Sequence, residues 1–107
     1  MEKIKQKSFK IGNVLIPGNV LLAPMDGYTD QPFRVFIREM GSAASVSEFI
    51  NGIDVVRGNP HLLQKIAFDQ KERPFAYQIL DEDINRILKT AHFLNQQHPD
   101  FIDLNIG

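Results

Sequence analysis

Four short apolar segments, separated by stretches of helical character, constrain the fold of this chain more than any other feature. The segments begin near residues 20, 44, 75 and 101. Strands that alternate with helices pair in parallel, because each helix carries the chain back to the edge of the sheet where the previous strand began. The spacing therefore predicts an α/β fold built from about four βα units.

The last two segments indicate what surrounds the sheet. Apolar side chains alternate there with small or polar ones: one face carries Phe75, Tyr77, Ile79, Ile102, Leu104 and Ile106, and the other carries Ala76, Gln78, Asp103 and Asn105. One face suits packed helices and the other suits the interior of a barrel. We expect the N-terminal half of a (β/α)₈ barrel, whose full size is roughly 250 residues. Residues 1–107 would form a single partial domain, with a tail and a hairpin in residues 1–19.

The first apolar segment leads into a loop and a helix. Residues 21–23 form an unbroken apolar run, typical of a parallel strand covered on both faces. Pro24 ends the run because proline has no N–H to donate. Thr29 or Asp30 is suited to cap the helix that follows. That helix would present one apolar face, formed by Phe33, Phe36, Ile37 and Met40.

The remaining stretches are assigned from their turn residues and periodicity. Residues 9–16 predict a short hairpin around a Gly-Asn pair, and residues 53–56 and 62–66 predict short helices. Residues 69–73 are read as a charged surface loop. Residues 84–94 repeat apolar side chains at helical spacing and predict a further helix.

Four of the predicted strands end in residues suited to binding or chemistry. Pro24-Met25, Glu48, Gln78 and Asn105 stand at these positions, and parallel strands would bring them to one rim. Each also has a purely structural interpretation. Glu48 could bond loop amides, and Gln78 could bond the backbone or the edge of a flat heterocycle, since an unpaired buried amide costs about 1–3 kcal/mol.

Composition excludes several classes of function. The net charge is −1 and the isoelectric point is about 6.3, so nothing in the overall charge calls for nucleic acid. There is no cysteine, and the three histidines lack ligand spacing, so no metal site is expected. The apolar runs are too short to cross a bilayer and no secretory signal is evident, so we expect a cytoplasmic protein without membrane contact.

Several motifs together resemble one family. They are Ala23-Pro24-Met25 with Thr29-Asp30 and Pro32-Phe33-Arg34, then Ser47-Glu48-Phe49, Glu72-Arg73-Pro74 followed by Gln78, and Asp103-Leu104-Asn105-Ile106-Gly107. Their order and intervals resemble those of the tRNA-dihydrouridine synthases, specifically the bacterial nifR3-like branch. The resemblance covers nearly the whole chain.

The resemblance implies a flavin-binding TIM barrel that reduces the C5–C6 double bond of uridine in tRNA. FMN would be the cofactor and NADPH the electron donor. By position, Pro24 and Met25 would line the isoalloxazine ring and Gln78 would hydrogen-bond its polar edge. Asn105 would lie near the flavin and the uracil. The uracil would be flipped out of the RNA, because a stacked base cannot lie flat on a flavin.

The sequence departs from the family pattern at its last residue. In the family a Cys-Pro pair follows the Asp-x-Asn-x-Gly motif, and the cysteine is the catalytic acid. We expect that acid beyond Gly107, so no catalytic residue is assigned here. The 107-residue chain alone is expected to bind FMN weakly or not at all, and to be inactive.

Two other interpretations stay open. One is a different FMN-dependent barrel, resembling dihydroorotate dehydrogenase, although Ala23-Pro24-Met25 with Thr29-Asp30 favours the tRNA enzymes. The other is a non-catalytic half-barrel that self-associates through exposed strand edges or binds RNA through the lysine-rich residues 1–7.

Overall fold

The computed structural model describes residues 7–107, so most of the predicted N-terminal tail lies outside the described residues. The strands are β1 (Phe9–Ile11), β2 (Val14–Ile16), β3 (Ser45–Asn51), β4 (Phe75–Leu80) and β5 (Phe101–Asn105). The helices are α1 (Gln31–Glu39), α2 (Gly52–Arg57), α3 (Leu62–Lys65) and α4 (Ile84–Asn95), with a 3₁₀ turn at Gln70–Glu72.

A three-stranded parallel sheet forms the centre of the fold. Its order is β3-β4-β5, and helices connect consecutive strands. This confirms the parallel α/β arrangement for the last three predicted strands. The hairpin is confirmed too: β1 and β2 pair antiparallel, and Gly12 takes a positive φ of 57° in the turn between them.

The predicted first strand is wrong for the described residues. Residues 21–23 have no regular secondary structure and join no sheet. The backbone bonds of this stretch go elsewhere: Ala43 donates to the carbonyl of Val20, and Leu22 donates to the side chain of Ser42. The apolar run is therefore anchored beside the start of β3 without a ladder, and the sheet has three strands in residues 7–107 where four were predicted.

The main core lies between the sheet and its helices. Phe75, Tyr77 and Ile79 alternate along β4 and are fully buried on the helical side, as predicted. Leu94 of α4 and Ile50 of β3 pack into the same cluster. Burying side chains of this size contributes about 1.5–3 kcal/mol each, so this cluster is the main source of the domain's stability.

A second, smaller core lies where the hairpin meets the amino ends of the strands. Ile16 of β2 is fully buried against Ala43 and Ala44, which precede β3, and Phe101 at the start of β5 packs against them. Phe101 is in register with Ala76 of β4, so both lie on the sheet face opposite the helices. The hairpin therefore covers that face of the sheet near the amino ends of the strands.

Helix α1 differs from its predicted packing. Asp30 is the N-cap and accepts a hydrogen bond from the backbone of Phe33, as the sequence suggested. However, the apolar face is turned partly outward, with Phe36 55% exposed, while Arg34 is the buried residue of the helix. The reason is a charged partner, Glu72, to which Arg34 is paired in the interior.

The charged surface loop predicted at residues 69–73 is wrong at Glu72, although Gln70 and Lys71 are exposed. Glu72 is fully buried, and Asp69 caps the 3₁₀ turn that positions it. The helices at residues 52–57, 62–65 and 84–95 are confirmed within a residue or two of the predicted ends. Among residues 7–107, no helix has the length and apolar content needed to span a membrane.

Candidate functional site

A ladder of polar side chains crosses the sheet face opposite the helices. Gln78 of β4 is in register with Asp103 of β5. Its Nε2 donates to Asp103 Oδ2 at 2.8 Å, and Asn105 Nδ2 donates to Gln78 Oε1 at 3.4 Å. We call Gln78, Asp103 and Asn105 the polar ladder. It begins one step above the apolar pair formed by Ala76 and Phe101, toward the carboxyl ends of the strands.

The backbone under the polar ladder is fixed by β3. The amide of Gln78 donates to Ser47 Oγ at 3.0 Å, and that hydroxyl donates to the carbonyl of Glu48. These bonds form where the register between β3 and β4 shifts, between Val46 and Phe49. Such an irregularity re-aims side chains next to a site. Ser47 is fully buried, so it acts as a support for Gln78.

Hydrogen bonds within residues 25–29 hold the loop that follows Pro24. We call these residues the Met25–Thr29 loop. The carbonyl of Met25 accepts hydrogen bonds from the amides of Tyr28 and Thr29, both at 3.0 Å. The Thr29 hydroxyl accepts from the amide of Met25 at 3.0 Å and is itself fully buried. Met25 remains 44% exposed, so its side chain is free to contact a ligand.

A buried ion pair joins that loop to the start of β4. Arg34 Nε donates to Glu72 Oε1 at 2.5 Å, and the two side chains are 4% and 0% exposed. Arg34 also donates to the carbonyl oxygens of Thr29 at 2.9 Å and Ala67 at 3.2 Å. Glu72 in turn accepts from the amide of Asp69 through its second oxygen. Each of the three guanidinium nitrogens therefore has a hydrogen-bond partner.

An open cavity of about 580 Å³ lies at the carboxyl ends of the three parallel strands. Asn51, Leu80 and Asn105 line it from β3, β4 and β5, and Asp81 and Arg86 border it. Arg86 donates twice to Asp81 at 2.8 Å. These hydrogen bonds hold the pKa of Asp81 well below its usual range and raise the pKa of Arg86.

The predicted site residues are only partly brought together. Gln78 and Asn105 are in direct contact, whereas no hydrogen bond within the described part of the chain links them to Pro24 or Met25. Glu48 lies half-buried in the register shift of β3. Asp103 was not predicted as a site residue, although its period-of-two spacing from Asn105 placed it on the same face.

The polar ladder suits the edge of a flat heterocycle. A side-chain amide offers both a donor and an acceptor, so Gln78 and Asn105 can match a ring edge that alternates the two. Asp103 accepts a hydrogen bond from one N–H of the Gln78 side-chain amide, which leaves the second N–H of that group for a ligand. The fold is α/β with a parallel sheet, and polar groups near the carboxyl ends of the strands are typical of α/β proteins that bind ligands at that edge.

Comparison with known proteins identifies the family. The family model described as dihydrouridine synthase (Dus) matches residues 21–107. The chain is 34% identical over 92 residues to a probable tRNA-dihydrouridine synthase of Aquifex aeolicus, covering 84% of this chain and 28% of that protein. The chain belongs to the dihydrouridine synthase family.

Two further relatives are also named as tRNA-dihydrouridine synthases. A probable tRNA-dihydrouridine synthase of Rickettsia bellii is 33% identical over 99 residues. The tRNA-dihydrouridine synthase B of Pseudomonas aeruginosa is 31% identical over 99 residues. In both cases the match covers 92% of this chain and 30% of the relative. The chain thus spans less than a third of the length of these curated relatives.

Proposed function

We propose that this chain is the cofactor-facing N-terminal part of an FMN-dependent tRNA-dihydrouridine synthase that uses NADPH as electron donor. Family membership supports the reaction. The main support for cofactor binding by this part of the protein is the polar ladder. Gln78 and Asn105 are hydrogen-bonded side by side, and a flat ring would need both donors and acceptors there.

Each expected site residue has a place in this proposal. Gln78 would hydrogen-bond the polar edge of the isoalloxazine ring, while Pro24 and the exposed side chain of Met25 would contact its flat surface. Asn105 would face the uracil. FMN, when bound, supplies the hydride that reduces the C5–C6 double bond. The side chains of this chain bind and orient the ring and the base, and the acid that protonates the base would come from a cysteine beyond Gly107.

The architecture we propose is half of a (β/α)₈ barrel. The three-stranded parallel sheet, with helices on one face and polar side chains on the other, supports it. Strand β5 is an edge strand among residues 7–107, and its outward Leu104 is 47% exposed. We propose that further βα units of the barrel cover this strand. The same exposed edge would let residues 1–107 self-associate if they were isolated.

The substrate would be a tRNA uridine turned out of its stack toward the polar ladder. Unstacking exposes both faces and the hydrogen-bonding edge of the base, and side-chain amides can read that edge. Since the proposed substrate is tRNA, we propose a cytoplasmic location. The overall charge of −1 means that contacts to the RNA backbone would come from local basic groups or from other parts of the protein.

The test is reduction of tRNA by the protein expressed from its complete reading frame. The protein is incubated with FMN, NADPH and tRNA transcribed without modifications, and nucleosides are analysed by mass spectrometry. We expect dihydrouridine that depends on NADPH. Reduction of free orotate to dihydroorotate by NADPH, with no change in the tRNA, would instead favour another FMN-dependent barrel enzyme.

A further inference from the structure

The Arg34–Glu72 ion pair stands between two parts of the proposed flavin site. On one side, Arg34 holds the carbonyl of Thr29, the last residue of the Met25–Thr29 loop. On the other side, only two residues separate Glu72 from β4, and the Arg34 guanidinium lies 5.5 Å from the ring centre of Phe75, at the start of that strand. Strand β4 carries Gln78 three residues further on.

The pair is more than a source of stability. A buried ion pair is often no more stabilising than apolar residues of the same volume, because both charges must lose their water. What it provides is direction, since a guanidinium presents its N–H groups in a rigid planar fork. Here the three nitrogens point to three different segments: Glu72, the carbonyl of Thr29 and the carbonyl of Ala67.

We propose that Arg34 and Glu72 are positioning residues, which fix the Met25–Thr29 loop against β4 so that Met25 and Gln78 keep the spacing that a flavin ring requires. The proposal rests on the proposed function. No described hydrogen bond links Met25 directly to the polar ladder in residues 7–107, so we expect the spacing between the two to depend on such an indirect tie.

The test compares two arginine-to-lysine variants of the protein expressed from its complete reading frame. Arg34→Lys keeps the charge beside Glu72 but loses the fork that reaches Thr29 and Ala67. The matched control is Arg73→Lys, since Arg73 also pairs with a carboxylate, Asp100, at 3.1 Å, but at the amino ends of the strands. FMN affinity and the absorption spectrum of the bound flavin are measured, together with hydrogen exchange of the Thr29 amide.

We expect Arg34→Lys to weaken FMN binding about tenfold, the factor that one lost charge-assisted hydrogen bond is worth. The flavin spectrum should shift and the Thr29 amide should exchange faster, whereas Arg73→Lys should leave all three unchanged. Unchanged values in Arg34→Lys, or equal changes in Arg73→Lys, would overturn the proposal.

A second variant keeps the test decisive if Arg34→Lys does not fold. Thr29→Val removes the hydroxyl bonds inside the same loop without touching the ion pair, and it should produce the same spectral shift and weaker FMN binding. Unaltered FMN binding in that variant would also overturn the proposal. If the unchanged protein binds no FMN, the proposed function fails, while the exchange of the Thr29 amide in Arg34→Lys still decides whether the pair holds the loop.

Discussion

Gln78 and Asp103 are joined across neighbouring parallel strands, with Gln78 Nε2 donating to Asp103 Oδ2 at 2.8 Å. Hydrogen bonds to charged groups contribute about 1.5–3 kcal/mol, and partial exposure reduces this value. We therefore expect a double-mutant cycle of Gln78→Leu and Asp103→Ala to give a coupling energy of about 1 kcal/mol. Urea unfolding of the two single variants and the double variant measures it.

The control for that cycle uses a carboxylate at the other end of the same strand pair. Asp100 accepts from the amide of Phe75 at 2.7 Å and does not contact Gln78. Changes at Gln78 and Asp100 should therefore be additive. Additive behaviour of Gln78 with Asp103 would show that the hydrogen bond contributes nothing to the folded protein in solution.

Removal of one partner from the buried ion pair should be costly. In Glu72→Ala the Arg34 charge stays in the interior without its carboxylate, and such losses reach about 3–5 kcal/mol. Arg73→Ala removes the partly exposed ion pair with Asp100, and we expect the loss of that pair to lower the free energy of unfolding by about 1 kcal/mol or less. Thermal and urea unfolding of both variants check this. Equal destabilisation would contradict the burial of Glu72.

Gly52 should not accept a side chain. A Cβ atom at this position would overlap Asp81 Oδ2 and would lie 3.0 Å from Thr90 Oγ1. Because Arg86 holds the Asp81 carboxylate with two hydrogen bonds, the overlap cannot be relieved freely. We expect Gly52→Ala to destabilise the protein by about 1–3 kcal/mol. The same change should cost less when Asp81→Ala is already present, and an equal cost in both backgrounds would exclude this contact as the cause.

Tyr77 should make stability depend on alkaline pH. Burial raises the pKa of Tyr77 from 10.0 to about 12, and its hydroxyl donates to the carbonyl of Ile66 at 2.6 Å. The folded state therefore holds the phenol proton more tightly than the unfolded state. The contribution of Tyr77 to the free energy of unfolding should be fully present below pH 10. It should be lost as the pH rises from 10 to about 12.

Tyr77→Phe isolates that effect. The variant should lose about 1 kcal/mol at neutral pH with the hydrogen bond, and it should show a smaller decline in stability above pH 10. Tyr28→Phe is the control, since Tyr28 is 74% exposed, and it should keep the full decline. Identical alkaline slopes in the Tyr77→Phe and unchanged proteins would contradict the account.

The sequence was sufficient to predict the parallel α/β arrangement because the alternation in residues 75–80 and 101–105 is strong. It also placed Gln78 and Asn105 on one face. It could not predict that residues 21–23 stay outside the sheet, since an apolar run looks the same whether a ladder forms or not. Strand pairing depends on tertiary contacts, here those of Ser42 and Ala43.

The charged pair shows a different limit of sequence analysis. Arg34 and Glu72 are 38 residues apart, and each stands in a segment that is otherwise compatible with the surface. Charged side chains are seldom fully buried unless they are paired, so each residue alone favours exposure. One signal was available: Arg34 falls beside an apolar helix face, and Glu72 directly precedes the Arg-Pro pair that opens a buried strand.

The flavin content of the purified protein tests the central claim most directly. The protein from the complete reading frame and its Gln78→Leu variant are purified in parallel, and bound FMN is measured per polypeptide. We predict that the unchanged protein carries FMN and that the variant, still folded, carries much less, because leucine cannot hydrogen-bond the ring edge. Equal FMN in both proteins, or none in the unchanged one, would contradict a flavin held at the polar ladder.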